Sequence, residues 1–503
     1  MSTPEERQEH PPSPAAAPSP KAGAFFSSDL RSQAETRRRG RRLFQLELAG
    51  TVAAMIYFGY NSKVGDSFQI YLGLAIMALA VLPSLWWAKR AQTGLPVFEV
   101  FILTSAYTYA IPMLVGKQDI GFFGNDVIIS AGFAVILFQI AAIAAYLMVP
   151  ARPKRRPWWR EEIISGKLSR WLGQGLIVTV VFTYADLYTS WIPYSYEGPI
   201  RAACFGLGIV SSFLQSRRWG QNQLKKREKA IFTLLLCLQI FIACSSLLLV
   251  SAISTLLLAL LGYFSASKRI PWMVIVLAFP LISLMHLGEP TMRQKYWDPD
   301  ADLPQPTLTE LPAFYVEWFN DGLDLQAQKN ISASDKLLER SSLLHLLCLV
   351  IYESPERRPF LGGETYLQTF ELLIPRPIWA IFSPDTPKPL GNVSTATLAV
   401  YYGLLREADT AKTTIGFGLL TEAYANFGFP GLAVIGFVFG AFFKKATGLS
   451  SESPMLSYPG LFVMLLMAWS FQAEDTFSIW VNSLLQGCLV VFAGAYLVKK
   501  LVK

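Results

Sequence analysis

"VIISAGFAVILFQIAAIAAYLMV", residues 127–149, decides the fold class. It carries no charged side chain, and a helix of this length crosses the roughly 30 Å hydrocarbon core of a bilayer. The chain then turns basic, with "ARPKRRPWWR" at 151–160. A long apolar helix followed by a basic loop is typical of a membrane span whose loop stays in the cytoplasm.

The whole chain shares this apolar character. It has 503 residues, of which 52% are hydrophobic, 13% aromatic and 16% charged, and its net charge is +8. About a quarter of the residues of a soluble protein are charged, so the composition indicates a polytopic membrane protein. Comparable apolar runs lie at 43–60, 67–88, 96–115, 171–192, 199–216, 230–248, 249–267, 271–288, 416–443, 457–473 and 477–498.

The stretch 230–267 is divided into two of these runs, because one helix of that length would extend about 57 Å. We place a tight hairpin near Ser246–Ser251. The sequence then predicts an all-α membrane protein with about twelve transmembrane helices. Both termini and the basic loops fall on the cytoplasmic side, in accordance with the positive-inside rule.

Four regions follow from this topology. Residues 1–42 are proline-rich and then basic, and we expect a disordered cytoplasmic tail. Residues 43–288 hold transmembrane helices 1–9, and residues 416–503 hold helices 10–12. Between them, residues 289–415 form one large loop on the opposite face, with short helices of its own. One of these helices is expected at 332–353, lying on or dipping into the outer membrane face.

The stretch "LLIPRPIWAIFSPDTPKPLGN" (372–392) cannot cross the membrane as a helix, because each proline lacks an N–H and blocks the preceding turn. Basic residues gather around it in the large loop: Arg340, Arg357, Arg358, Arg376 and Lys388. A guanidinium on a stiff segment suits bidentate binding of phosphate or pyrophosphate. The alternative is that these side chains pair with acids such as Glu371 or reach toward lipid headgroups.

The stretch "TTIGFGLLTEAYANFGFPG" (413–431) carries Glu422 into a membrane segment. An ionisable group at that depth is costly unless it faces a cavity or a partner, so Glu422 is a functional candidate. The alternative is an acid at headgroup level that pairs with Arg or Lys. Glu99 and Asp186 are weaker candidates of the same kind.

Aromatic residues cluster in "PAFYVEWFNDG" (312–322), where Tyr315 and Trp318 suit stacking on sugar rings. An aromatic belt at a membrane interface would have the same sequence. The chain has only 3 histidines and no nucleotide-binding or metalloprotease motif. We therefore expect no metal, no cofactor and no nucleic-acid partner.

Two stretches together, "ERSSLLHLLCLVIYESPERRPFLGGETYLQTFELLIPRPIWAIFSPDTPKP" (339–389) and "GFGLLTEAYANFGFPG" (416–431), resemble the Wzy-type polysaccharide polymerases, the O-antigen and oligosaccharide repeat-unit polymerase family. The similarity lies in the order of an arginine-led helix, an Ile-Pro-Arg…Trp…Lys-Pro element and a Glu-Ala-Tyr…Asn-Phe-Gly element. The resemblance implies a GT-C-type glycosyltransferase of the bacterial inner membrane. Such an enzyme transfers a glycan en bloc from undecaprenyl pyrophosphate to a lipid-linked repeat unit on the periplasmic face.

The resemblance also implies partners and roles. The partners are the lipid-linked donor and acceptor glycans, membrane lipid and a chain-length regulator protein. Arg340, Arg376 and Lys388 would stabilise the pyrophosphate leaving group without a metal. Glu422 is the first choice for the general base, and His345 the second, because histidine titrates near neutral pH. The other residues expected to bind substrate are Arg357, Arg358, Tyr424, Asn426, Trp318 and Tyr315.

Two other readings stay open. An O-antigen ligase would share the architecture and the donor, and the residues do not separate it from a polymerase. A flippase or other transporter of lipid-linked oligosaccharides would instead carry charged residues along several helices that line a central path.

Overall fold

The computed structural model describes the chain as an assembly of helices. The described residues are 22–90, 95–116, 120–150, 166–189, 194–247, 249–267, 269–297, 306–307, 309–329, 342–374, 376–383, 388–389, 391–410, 414–451 and 457–501. Within these ranges the regular secondary structure is entirely helical. Together with the long apolar helices below, this makes the protein a polytopic helical membrane protein.

The first part of the chain forms α1 (Ala22–Tyr60), α2 (Ser67–Lys89), α3 (Val97–Ser105), α4 (Ile111–Val115), α5 (Asn125–Met148), α6 (Gly166–Tyr188), α7 (Tyr194–Gly220), α8 (Lys226–Cys244), α9 (Leu249–Ser267), α10 (Trp272–Trp297) and α11 (Leu311–Lys329). A π-helical turn, Ala106–Ala110, joins α3 to α4. The second part forms α12 (Leu344–Glu353), α13 (Glu364–Leu373), α14 (Arg376–Phe382), α15 (Val393–Tyr401), α16 (Gly418–Ser451), α17 (Tyr458–Ser470) and α18 (Phe477–Leu501).

Among the described residues, 6 helical segments are long and apolar enough to cross a membrane: Gly40–Tyr60, Ser67–Lys89, Val97–Val115, Asn125–Met148, Trp272–Tyr296 and Gly418–Gly448. Shorter apolar helices cover Ala252–Ser267, Leu344–Glu353, Tyr458–Ser470 and Phe477–Ala493. In the described residues, each apolar run predicted from the sequence overlaps at least one helix. A total of about twelve spans stays a prediction.

Three boundaries can be compared with the sequence analysis. The hairpin inside 230–267 is confirmed, since α8 ends at Cys244, α9 begins at Leu249, and Leu247 turns the chain with a φ of 56°. Helix α1 begins at Ala22, inside the stretch 1–42 that the sequence analysis expects to be a disordered tail, and after Pro20 no proline stops a helix until Pro83. The disordered tail stays a prediction. Residues 1–21 lie outside the described ranges. Helix α10 continues to Trp297, past residue 289, where the large loop is predicted to begin.

Helices α5 and α16 form the centre of the bundle, and small residues allow their close approach. A Cβ built on Gly440 would lie 2.0 Å from the Ala142 carbonyl oxygen, and one on Gly436 would lie 2.7 Å from that of Phe138. Glycines four residues apart on one helix face are a common device for packing membrane helices backbone to backbone. The stretch quoted first, which is α5, is therefore held directly against the helix that carries Glu422.

Two prolines in membrane spans, Pro112 and Pro430, allow the large loop to dock onto the bundle. Pro112 frees the backbone carbonyl of Thr108. In a regular helix the carbonyl of Thr108 would accept a hydrogen bond from residue 112, but Pro112 has no N–H. The N–H of Leu343, at the start of α12, donates to Thr108 instead, at 3.0 Å. This bond anchors α12 inside the bundle rather than flat on its surface: Leu344, Leu347 and Cys348 are fully buried. Residues 332–341 of the predicted 332–353 helix lie outside the described part.

Buried apolar side chains form three groups. The first joins α2, α4, α5, α12, α15 and α16, and the second joins α3, α5, α7, α16, α17 and α18. The third is made by α8 to α11, with Tyr188 at the end of α6 packed against it. Helices α5 and α16 belong to the first two groups, so the Glu422 end of α16 is supported from both sides.

Candidate functional site

A break in α16 creates the candidate site. Gly428 has a φ of 63° and a ψ of −150°, a conformation that is essentially restricted to glycine, and Pro430 follows it. Both interrupt the helical hydrogen bonds, so the carbonyls of Ala425 and Asn426 lose their helical donors. The N–H of Leu361 donates to Ala425 at 3.0 Å, and the N–H of Gly362 to Asn426 at 3.0 Å. The loop before α13 is thereby fixed to the broken helix.

Asn426 joins this loop, α13 and α16 through its side chain. Its Oδ1 accepts from the N–H of Gly363 at 3.0 Å, and its Nδ2 donates to Thr365 Oγ1 at 2.8 Å and to the Glu422 carbonyl at 2.8 Å. Asn426 is fully buried, and both of its donors are used. The described structure thus gives Asn426, predicted to bind substrate, the role of positioning the loop and helix around Glu422.

Glu422 lies one turn before Asn426 and is fully buried. Its Oε2 accepts from the backbone N–H of Phe477 at 2.6 Å, at the start of α18, where helical N–H groups lack internal partners. Its Oε1 makes no hydrogen bond with the described residues. The Thr365 hydroxyl lies beside this carboxyl; it accepts from Asn426, and its own proton remains available to the carboxyl. One oxygen of Glu422 therefore supports α18, and Oε1 keeps the capacity to accept a further hydrogen bond.

A second buried polar group without a partner, the Tyr366 hydroxyl, lies near Glu422. The hydroxyl of Tyr366 is buried and makes no hydrogen bond with the described residues. Burial, and then the nearby charge of Glu422, raises the pKa of this phenol well above its usual value. The Tyr366 ring stacks on Phe427 with centroids 6.0 Å apart and meets Phe477 edge-on at 5.2 Å. A phenol held in this way can donate a hydrogen bond but cannot act as a base near neutral pH.

Asp475 lies in the turn between α17 and α18, two residues before Phe477. Its Oδ2 is buried without a hydrogen-bond partner in the described structure. Burial, followed by the charge of the neighbouring Glu474, raises the pKa of Asp475 to about 7. The same turn holds the entry of α16, since the N–H of Gly418 donates to the Glu474 carbonyl at 2.9 Å. A titratable carboxyl thus lies in the turn that joins the starts of α16 and α18.

Two of the predicted basic residues, Arg357 and Arg358, have partners within the protein. Arg357 lies over the Tyr352 ring, with its Cζ 3.5 Å from the centroid, and pairs with Glu353 at 3.5 Å. Arg358 pairs with Glu353 at 3.3 Å and also donates to the Tyr401 carbonyl. These contacts correspond to the pairing alternative from the sequence.

The predicted pyrophosphate clamp is described only in part. Lys388 donates to the Leu372 carbonyl at 2.9 Å, near the C-terminus of α13. Arg376 begins α14, where the following Pro377 suits the first helical turn, but its side chain is not described. Arg340 lies outside the described residues. The clamp therefore stays a prediction.

The remaining predicted residues lie in different surroundings. Tyr424 is packed edge-on against Phe360 and Phe429 in the core around Glu422. His345 is half-buried on α12, in the same part of the bundle. Trp318 is fully buried, and its indole N–H donates to the Met285 carbonyl.

Tyr315 stacks near Trp318 and donates to the Phe241 carbonyl. Trp318 and Tyr315 belong to the core made by α8 to α11. The structure does not bring them to Glu422, and Trp318 has no exposed face for a sugar ring.

Sequence reasoning missed Thr365, Tyr366 and Asp475. Thr365 and Tyr366 lie in "GGETYLQ", inside the stretch that carries the family resemblance. The resemblance therefore indicated this stretch as functional but did not assign a role to either residue. Asp475 lies in "FQAEDTFSIW", where two acids between apolar helices were the available signal. Among the described residues, no group of three His, Cys, Asp or Glu side chains is placed to hold a metal ion.

The site therefore consists of a broken membrane helix, a docked loop and a buried carboxyl with one uncommitted oxygen beside an unpartnered phenol. Comparison of the chain with protein-family models, with curated proteins and with solved structures found no match.

Proposed function

We propose that the protein is a GT-C-type membrane glycosyltransferase that polymerises lipid-linked oligosaccharide repeat units. Its donor would be a glycan on undecaprenyl pyrophosphate, and its acceptor a second lipid-linked unit, with about twelve spans placing the site on the periplasmic face. The observation that carries the proposal is the Glu422 carboxyl, fully buried with Oε1 unpartnered beside the unpartnered Tyr366 hydroxyl. Unsatisfied buried polar groups are costly, and they concentrate where a ligand completes them.

The chemistry assigns one task to each group. The acceptor hydroxyl oxygen attacks the anomeric carbon of the donor, while the bond from that carbon to the pyrophosphate oxygen breaks. The bonding electrons leave with the pyrophosphate, and the proton of the acceptor hydroxyl passes to Glu422 Oε1. Tyr366 donates a hydrogen bond to a sugar oxygen and orients it. Arg340, Arg376 and Lys388 would stabilise the charge that develops on the leaving group.

The break in α16 supports a substrate site at this position. Irregular backbone at membrane depth is tolerated where it is buried in protein or lines a cavity. Here the break at Gly428 and Pro430 is held by the loop at 361–363 and by Asn426. The helices α12 and α13, which with α16 carry most of the residues behind the family resemblance, each pack against α16.

The test is a transfer assay with purified protein in nanodiscs and a lipid-pyrophosphate-linked repeat unit, with EDTA present. A ladder of longer lipid-linked glycans supports a polymerase. Transfer only to a lipid A core acceptor supports the ligase reading of the same site. Unchanged substrate that crosses the membrane of a vesicle would refute the enzyme and favour a transporter, for which a broken helix is also typical.

A further inference from the structure

A second polar cavity lies at the opposite end of α16. Its volume is about 150 Å³, and it is enclosed by the ends of four membrane spans, α2, α3, α5 and α16. Beyond the break at Gly428 and Pro430, the regular part of α16 runs 14 positions from Pro430 to Lys444, or roughly 21 Å at 1.5 Å per residue. The cavity therefore lies at the end of this span opposite to the broken end that carries the candidate catalytic site.

Two cations and one buried carboxyl line this cavity. Arg90 ends α2, Lys444 lies near the end of α16, and Glu99 lies in the first turn of α3 with only 4% of its surface exposed. The positive charges of Arg90 and Lys444 act on each other and on Glu99. In the described structure, both cations act on Glu99 through their charge and not through a hydrogen bond to it. An anion between the two cations would relieve their repulsion.

Glu99 also has an uncommitted oxygen. Its Oε1 accepts from the hydroxyl of Tyr146 at 3.3 Å, while Oε2 is buried and has no partner in the described residues. Tyr146 is itself fixed, since its ring stacks on Phe98 with centroids 4.1 Å apart, and Lys444 Nζ lies 4.7 Å from the ring centre. The cavity thus combines a place for an anion with a buried acceptor for a hydrogen-bond donor.

The remaining lining favours a lipid over a soluble ligand. Trp86 and Trp87 face the cavity, and the indole N–H of Trp87 is buried without a partner in the described part. Tryptophans at span ends lie at the level of lipid headgroups. Leu147, at the cavity edge, is 45% exposed and continues it onto the outer surface of the bundle. A headgroup in the cavity would therefore leave its acyl chains along an apolar surface.

We propose that this cavity binds the phosphodiester headgroup of a membrane phospholipid. The phosphate lies between Arg90 and Lys444, and a hydroxyl or ammonium group of the headgroup donates to Glu99 Oε2. The volume fits this class, since it equals that of about five water molecules at roughly 30 Å³ each. The site is separate from the proposed glycan site and does not depend on its chemistry.

Native mass spectrometry of the purified full chain with short-chain phosphatidylglycerol tests the proposal. The chain offers a matched control, because Lys89 and Lys445 are exposed neighbours of the two cations. The double variant Arg90→Gln/Lys444→Gln is expected to bind the lipid at least about tenfold more weakly, since it loses two charge-assisted contacts. The double variant Lys89→Gln/Lys445→Gln removes the same net charge and is expected to change binding less than about twofold.

Two further measurements identify the ligand. Wild type is expected to prefer phosphatidylglycerol to phosphatidic acid, which lacks the donor group, and Glu99→Gln is expected to lose this preference. Millimolar inorganic phosphate is expected not to displace the lipid. Equal weakening in both double variants, or displacement by free phosphate, overturns the proposal. If the Arg90/Lys444 variant does not fold, Lys444→Gln compared with Lys445→Gln decides in the same way.

Discussion

Replacement of Asn426 by alanine tests whether the loop at 361–363 is held on the broken helix as described. The change removes the acceptor of the Gly363 N–H and the donor to Thr365, at a fully buried position. An unsatisfied buried group costs about 1–3 kcal/mol, and the lost amide also leaves a small cavity. We therefore expect Asn426→Ala to lower the free energy of unfolding by about 2–4 kcal/mol.

Thermal unfolding in detergent with a thiol-reactive fluorophore suits this measurement, because Cys244, Cys348 and Cys488 are buried and unpaired. The control is Asn482→Ala on α18, where a partly buried asparagine accepts one hydrogen bond, from Gln486 at 3.0 Å. This control is expected to change stability by less than about 1 kcal/mol. Equal melting temperatures for the two variants would refute the reasoning, since Asn426 would then hold nothing that the structure assigns to it.

Three further predictions concern the same region. Gly428→Ala is expected to lower the free energy of unfolding by about 1–3 kcal/mol through its backbone conformation alone. A clash adds to this loss, because a Cβ would lie 2.8 Å from the Phe360 ring. A melting temperature equal to that of wild type would contradict this. The folded protein keeps Asp475 protonated up to about pH 7, so this group makes stability fall as pH rises from about 4 to 7. Melting curves from pH 5 to 8 should show Asp475→Asn gaining stability relative to wild type by up to about 3 kcal/mol across this range; an unchanged difference between the two proteins would contradict this. Tyr366→Phe removes a buried hydroxyl that has no partner among the described residues. The free energy of unfolding is therefore expected to stay equal or rise by up to about 1 kcal/mol, while the rate of glycan transfer falls about tenfold or more. A parallel loss of stability and transfer would assign the hydroxyl a structural role instead.

The positions of the membrane helices could be predicted because length and apolar composition are local properties. The stretch 127–149 became α5, and even the hairpin near Leu247 followed from the length limit of a single span. Glu422 was also accessible to sequence reasoning, since an acid inside an apolar segment requires a partner or a cavity.

The docking of the large loop could not be predicted in the same way. It depends on carbonyls of Thr108 and Asn426 that lose their donors to Pro112 and Pro430 and then accept hydrogen bonds from residues far along the chain. A proline in a membrane span predicts a backbone carbonyl without its helical donor, but only the tertiary structure shows which N–H donates to that carbonyl. For the same reason Arg357, which suggested a phosphate site, lies over an aromatic ring and beside an acid within the protein.

The central claim is tested most directly by the rate of glycan transfer with Glu422→Gln, compared with Glu371→Gln. The glutamine can still accept the Phe477 N–H through its amide oxygen, so α18 keeps its support while the base is removed. Glu371 is exposed on α13 and serves as the matched control. We predict that Glu422→Gln folds but loses transfer by about a hundredfold or more, whereas Glu371→Gln retains it. A folded Glu422→Gln protein with the wild-type rate would contradict the assignment of Glu422 as the general base.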